Sequence, residues 1–180
     1  VNTSKGITAW KQGGISVLPV GNETSASPTY SNYRWIENDA PYGTDPYYET
    51  GNGISSRTFT VKANDDNSAV TITENASGSR CNYKFVYTVN RDGTVDLDAQ
   101  YTVTGPNLRR IGMLMQFNPE LSMTRYYARG PLDNTIDRKQ GSDLGIYELP
   151  VSDFHVDYVR PQTSGDRQDL RWINFLDEEG

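Results

Sequence analysis

Residues 94–105 read TVDLDAQYTVTG. Val95, Leu97, Ala99, Tyr101 and Val103 alternate with Asp96, Asp98, Gln100, Thr102 and Thr104. Successive side chains of a strand point to opposite faces, so this period of two predicts a strand with one apolar face and one wet face. Just upstream, NYKFVYTV (82–89) carries Phe85, Tyr87 and Val89 in the same phase, and NRDG (90–93) lies between, with a glycine where a positive φ is needed. The two runs predict a hairpin. TFTVKA (58–63) and AVTITE (69–74) extend it, with Phe59, Val61, Val70 and Ile72 facing inward. ANDDNS (63–68) joins them, built from residues that bond their own backbone.

Further along, RRIGMLMQF (109–117) is apolar on both faces and predicts a central strand between two layers. GIYELPV (145–151) and LRWINFL (170–176) predict two more strands, and KGITAW (5–10) and ISVLPV (15–20) short ones. No segment repeats apolar residues at helical spacing over three turns, so the fold class is all-β, a sandwich of antiparallel sheets. The chain has 180 residues and 35% hydrophobic content, enough for one domain with a sizeable core. One β-sandwich domain over residues 1–180 is the expectation.

Composition narrows the function classes. Net charge is −6, with no lysine or arginine run beyond a pair such as Arg109-Arg110, so no basic face for nucleic acid is visible. No apolar run approaches the roughly 20 residues of a membrane span. VNTSKGITAW (1–10) has no apolar core of a signal peptide, and Val1 in place of an initiator Met reads as an excised piece or a mature product. Cys81 is the one cysteine, which excludes an intramolecular disulfide and a thiolate metal cluster. His155 is the one histidine. SDFHVDY (152–158) shows no nucleophile turn for a Ser-His-Asp triad, and zinc held by one histidine and carboxylates alone is unusual, so His155 reads as a strand or loop residue. Neither a cofactor nor a metal is expected.

Two regions hold candidate chemistry. The stretch from Asn22 to Gly53 is rich in Gly, Pro, Asn and Asp and crowds Tyr30, Tyr33, Trp35, Tyr42, Tyr47 and Tyr48 together. Aromatic faces stack on sugars, and neighbouring amides and carboxylates bind hydroxyls, so Tyr33, Trp35, Asn38 and Asp39 form a candidate carbohydrate site. The competing reading is that these rings plug the loop into the protein. The second region is RYYARGPLDNTIDR (125–138). Gly130-Pro131 breaks a strand because proline cannot donate to the ladder. Asp133-Asn134 favours a turn. Asp137 and Arg138 are adjacent, so they seek separate partners, and Arg138 can hold Asp133 or another carboxylate in a forked pair. A glycosidase needs two carboxyls roughly 5–9.5 Å apart. Glu37, Asp39, Asp133, Asp137, Asp153 and Asp157 are the candidates, and carboxylates beside arginine in turns read first as structural ion pairs.

These motifs also carry a resemblance. YYARGPLDNTIDR (126–138) is similar to the W-x-G-x-G-P-x-E-N-Y-x-D-R signature of bacterial β-galactosidases of glycoside hydrolase family 2. RWIENDAPYG (34–43) resembles the family's R-x-P-T-D-N-D-x-G, LRRIGMLMQF (108–117) its P-R-I-G-M-x-F strand, and DYVRPQTSGDRQDLRW (157–172) its Y-V-x-P-Q-E-x-G-N-R-x-D-V-R-W segment. VYTVNRDGTVDLDAQYTV (86–103) fits the hairpin between them, and all five occur in order from about Gly6 to Gly180. Tyr126, Ala128, Asp133, Thr135, Thr163 and Asp166 depart from the pattern; Gly130, Pro131, Asn134, Asp137 and Arg138 keep it. The resemblance is to the C-terminal β-sandwich, the small-chain domain, and implies an antiparallel supersandwich similar to the galactose mutarotase fold. In that family two catalytic glutamates sit in a separate (β/α)₈ barrel, and nothing in this chain reads as one. The resemblance therefore implies an incomplete C-terminal domain, non-catalytic by itself, of a parent that hydrolyses terminal β-galactosides with retention. It implies the missing barrel as partner, self-association through exposed sheet edges, and the cytoplasm or periplasm of a bacterium. The alternative is a carbohydrate-binding module for galactosides. A mutarotase is excluded on its need for more than one histidine.

Overall fold

The alternating stretch forms the last strand of a four-stranded antiparallel meander. In the computed structural model, which describes residues 6–21, 28–32, 53–105, 110–159 and 164–177, the strands in chain order are β1 (Lys11–Gln12), β2 (Ile15–Ser16), β3 (Thr29–Ser31), β4 (Ile54–Ala63), β5 (Ala69–Gly78), β6 (Cys81–Asn90), β7 (Val95–Val103), β8 (Gly112–Leu114), β9 (Met123–Gly130), β10 (Asp143–Pro150) and β11 (Trp172–Leu176). Every pairing is antiparallel, and two short 3₁₀ turns are the helical content of the described residues. The all-β expectation holds. The described residues fall into two compact units, one up to residue 117 and one from residue 118.

The first unit is built on the order β4-β5-β6-β7. Its turns follow from their residues: Gly93 closes β6–β7 at φ 88°, and Asn67 closes β4–β5 at φ 54°, a left-handed conformation asparagine tolerates. The small hairpin β1–β2 turns through Gly13 and Gly14, both at positive φ, as a two-residue primed turn requires. One face of the meander packs Ala76, Cys81, Tyr83, Phe85 and Tyr87 against Ile7, Leu18 and Tyr30, with Leu97, Ala99 and Tyr101 closing the side. Phe85 is fully buried, between Tyr83 at 4.3 Å and an edge-on Tyr101 at 5.7 Å. Aromatic pairs in such arrangements add about 0.5–1.5 kcal/mol each beyond their buried area.

Three expectations need correction here. Residues 110–117, the described part of this run, do not make a central strand. Only Gly112–Leu114 are extended, with β3 as their partner, and Ile111, Met113 and Leu114 are 44%, 43% and 50% exposed. A three-residue neighbour covers too little, and of this run Met115 is the residue that packs on the core. Val61 and Val70 keep the predicted phase but lie at the turn end of the β4–β5 hairpin, where they remain exposed. The N-terminal runs contribute Ile7 and Leu18 to the core but little ladder.

The second unit is a three-stranded sheet, β10-β9-β11, with β9 in the middle. β9 covers MTRYYARG, part of a stretch whose Gly-Pro and Asp-Asn pairs suggest only a turn. Thr124, Tyr126, Ala128 and Gly130 are its buried face. Tyr126 packs on Tyr147 from β10 and on Phe154 from the 3₁₀ turn after it.

Candidate functional site

The corner after β9 is where the sequence motif sits. Gly130 is the last residue of the central strand, and the Gly130–Pro131 peptide is cis. A Cβ at Gly130 would lie 2.9 Å from Tyr147 Cδ2 and 3.1 Å from the Tyr126 hydroxyl, so only glycine lets the chain turn this close to the two rings. Asn134 then fastens the loop. It is 1% exposed; its Nδ2 donates to the carbonyls of Arg129 (3.0 Å) and Leu132 (2.9 Å), and its Oδ1 accepts the Gln168 N–H (2.9 Å). Its own N–H donates to the Asp166 carbonyl. A buried amide satisfied on both ends holds two loops in one geometry.

The charges come next. Asp133 has a side chain only 3% exposed. Its Oδ2 accepts from Arg138 Nη2 (2.5 Å) and from the Tyr158 hydroxyl, which in turn accepts from Arg138. Its Oδ1 faces Arg167 Nη1 at 4.0 Å, without a hydrogen bond of its own. Arg167 is 5% exposed. Its guanidinium stacks 4.5 Å from the Phe154 ring and donates to the Tyr126 hydroxyl (3.1 Å) and the Asp166 carbonyl (3.0 Å). Arg138 keeps 43% of its side chain in water, over the Tyr158 ring. Burial and the Asp133 carboxylate push the Tyr158 phenol up, while its bond to Tyr158 raises Arg138 further. Asp137 accepts the Thr135 hydroxyl. Beside this cluster Arg129 holds Asp169 at 2.6 Å and, with Lys139, keeps that carboxyl below its usual range.

So Gly130, Pro131, Asp133, Asn134 and Arg138 converge on one corner, and Asp137 stands at its rim. Arg167 and Tyr158 complete it, and neither stands out in the sequence. The DYVRPQTSGDRQDLRW segment signals their region, but not that Arg167 is the buried cation. Chemically the corner is a charge clamp. Asp133 is closed off from solvent, and among the described residues no two of the candidate carboxyls share a hydrogen bond. Asp153 accepts from Ser152, and Glu37 and Asp39 lie outside the described residues.

His155 is in a loop, as expected, but in company. Its Nε2 lies 3.0 Å from Asp157 Oδ1 and its Nδ1 3.1 Å from Ser164 Oγ. The order imitates a triad. In a working one the carboxylate is buried on Nδ1, where it fixes the tautomer and stabilises the imidazolium. Here it is on the other nitrogen and 97% exposed, and Ser164 also accepts the Val156 N–H. The three side chains close a loop. Among the described residues no three His, Cys, Asp or Glu side chains converge as metal ligands.

In the first unit, Tyr30 is a core residue, 1% exposed and 6.0 Å from Tyr101, so it offers no sugar platform. Tyr33, Trp35, Asn38 and Asp39 lie outside the described residues. Glu74 is a further buried charge that sequence reasoning missed, although the phase of AVTITE puts it inward with Ile72. It is 1% exposed, accepts the Tyr83 hydroxyl at 2.6 Å and lies 3.8 Å from Arg57 Nε; burial pushes its carboxyl up.

The family model of the β-galactosidase small chain matches residues 1–180. This chain belongs to that family. Curated relatives of this small-chain domain carry the name β-galactosidase. One from Priestia megaterium is 32% identical over 96 residues, 52% of this chain and 9% of its own length. Others are from Halalkalibacterium halodurans, 31% identical over 110 residues, 58% of this chain and 11% of its own, and from Lactobacillus delbrueckii subsp. bulgaricus, 34% identical over 100 residues, 52% and 9%. The small-chain stretch thus spans about a tenth of the length of these relatives.

Proposed function

We propose that residues 1–180 act as one non-catalytic β-sandwich domain, part of a C-terminal supersandwich similar to galactose mutarotase, of a longer β-galactosidase that hydrolyses terminal β-galactosides with retention. The observation that carries this reading is the state of Asp133. The most enclosed carboxylate of the corner motif is bonded through Oδ2 to Arg138 and Tyr158, faces Arg167 with Oδ1, and is 3% exposed, which suits a framework and leaves a glycoside no access to it. The chemistry then belongs to two carboxyls on a separate barrel, which is the domain's partner. The length of the relatives supports the same division. Among the described residues β4 and β7 are the edges of their sheet, and they can pair with a second copy when the barrel is absent.

The test is turnover of a nitrophenyl β-galactoside by the purified 180-residue chain. No rate above background is expected, and a longer polypeptide that includes the barrel upstream should restore it. A rate in the short chain that survives repurification and disappears in Asp133→Ala or Asp137→Ala would overturn the reading.

A further inference from the structure

We propose that the outward face of the β10-β9-β11 sheet binds a neutral saccharide. Strand alternation sends Tyr126 and Ala128 into the core and Arg125, Tyr127 and Arg129 out. Antiparallel register then aligns two rows across the three strands. Ile146, Tyr127 and Trp172 form one; Glu148, Arg125 and Asn174 form the next. Ile146 is 57% and Trp172 38% exposed, with the Tyr127 and Trp172 rings 6.4 Å apart. In the neighbouring row Arg125 and Glu148 pair at 3.2 Å with side chains 52% and 63% exposed, and Asn174 is exposed.

A pyranose presents a C–H face and a rim of hydroxyls. The first needs an aromatic or aliphatic surface, and the second needs planar groups that donate and accept. Here the two kinds of surface are adjacent rows of one sheet. The exposed Arg125–Glu148 pair contributes little to stability, so sugar hydroxyls can share its donors and acceptors at small loss. Strands hold the rows in place before binding.

Size decides between a sugar and a protein. Two strand spacings give a width of about 10 Å, and one row is about 7 Å deep, so the apolar strip is about 70 Å². A stable protein interface needs about 800 Å² on each partner. A wider footprint would cover the Arg125–Glu148 pair on one side and Leu144 with the Arg129–Asp169 pair on the other, and a protein that buried them would have to desolvate two ion pairs. A polyhydroxylated ligand hydrogen-bonds those groups while leaving them wet. Galactosides are the first probe, because their axial hydroxyl leaves a continuous apolar patch on the opposite ring face. This face lies apart from the Asp133 clamp and from the reaction proposed for the parent.

The experiment is calorimetric titration of the 180-residue chain with lactose and with a β-linked galacto-oligosaccharide, alongside amide shift mapping. Binding with a Kd of about 1 mM or tighter is expected, with shifts confined to β9, β10 and β11. Trp172→Ala should abolish it, and Arg125→Ala should weaken it roughly tenfold. Ile146→Asp, on a side chain already in water, should do the same as Trp172→Ala without touching the core. Near-UV circular dichroism checks that each variant is folded. No heat at about 50 mM saccharide, shifts mapping elsewhere, or undiminished binding in folded Trp172→Ala and Ile146→Asp would each overturn the proposal. So would a result in which these variants abolish self-association of a chain that takes up no sugar.

Discussion

Removing the Asp133 carboxylate tests the corner most directly. Asp133→Ala deletes the anion between two arginines whose environments differ sharply: Arg167 is 5% exposed and Arg138 43%. Two unit charges 4 Å apart attract by about 4 kcal/mol at an effective dielectric of 20. Stranding a buried charge by truncating its partner typically costs about 3–5 kcal/mol. Arg167 would keep its bonds to Tyr126 and Asp166 and its stack on Phe154, so the lower part of that range, about 3 kcal/mol, is expected. Arg138→Ala removes the wetter partner and should cost about 1 kcal/mol or less. The sequence offers Trp10, Trp35 and Trp172 as reporters. With Trp10 and Trp35 changed to phenylalanine, Trp172 on β11 reports the second unit during urea unfolding at pH 7. The reasoning fails if Asp133→Ala costs under about 1 kcal/mol, or if Arg138→Ala costs as much as Asp133→Ala. Either result would mean that Arg167 does not depend on Asp133 for its charge.

Two further predictions concern burial and packing. Glu74 has its folded carboxyl raised chiefly by burial, so its contribution is fully present below the unfolded value of 4.5 and is lost as pH rises through the folded value. Glu74→Gln should therefore flatten the fall in urea midpoint above about pH 4.5, and an unchanged slope would show that Glu74 is already ionised in the fold. Gly130→Ala places a Cβ 2.9 Å from Tyr147 and should cost about 1–3 kcal/mol by overpacking, measured by thermal unfolding; a neutral result would mean the two rings yield freely.

Most of the fold was legible because its signal is local. The meander from β4 to β7 rests on alternation within ten residues and on turns made by Asn, Asp and Gly, and these appear where the period of two places them. β9 was not legible, because its core face is carried by Thr124, Tyr126, Ala128 and Gly130, of which only the tyrosine looks apolar enough to signal burial. Residues 109–117 failed in the opposite direction. An apolar run says what a segment could bury, but a neighbour long enough to cover it has to be supplied by the rest of the chain.

The site shows the same division at the level of single charges. Asp133, Asn134, Asp137 and Arg138 were readable as a corner because a Gly-Pro turn and side chains that bond nearby backbone act within a few residues. Which arginine becomes the buried one was not readable. Arg138 is five residues from Asp133 and bonds it at 2.5 Å, yet keeps 43% of its side chain in water. Arg167, 34 residues away, is buried because Tyr126 from β9 and Phe154 from the 3₁₀ turn after β10 form a pocket for its flat cation. A guanidinium buried against rings is costly without a nearby anion, so the Asp133 carboxylate 4.0 Å away offsets the Arg167 charge while its hydrogen bond goes to the wetter Arg138. The outward sheet face follows equally from register. Glu148, Arg125 and Asn174 are far apart in sequence, and only the pairing of β10 and β11 on β9 makes them a row beside Ile146, Tyr127 and Trp172.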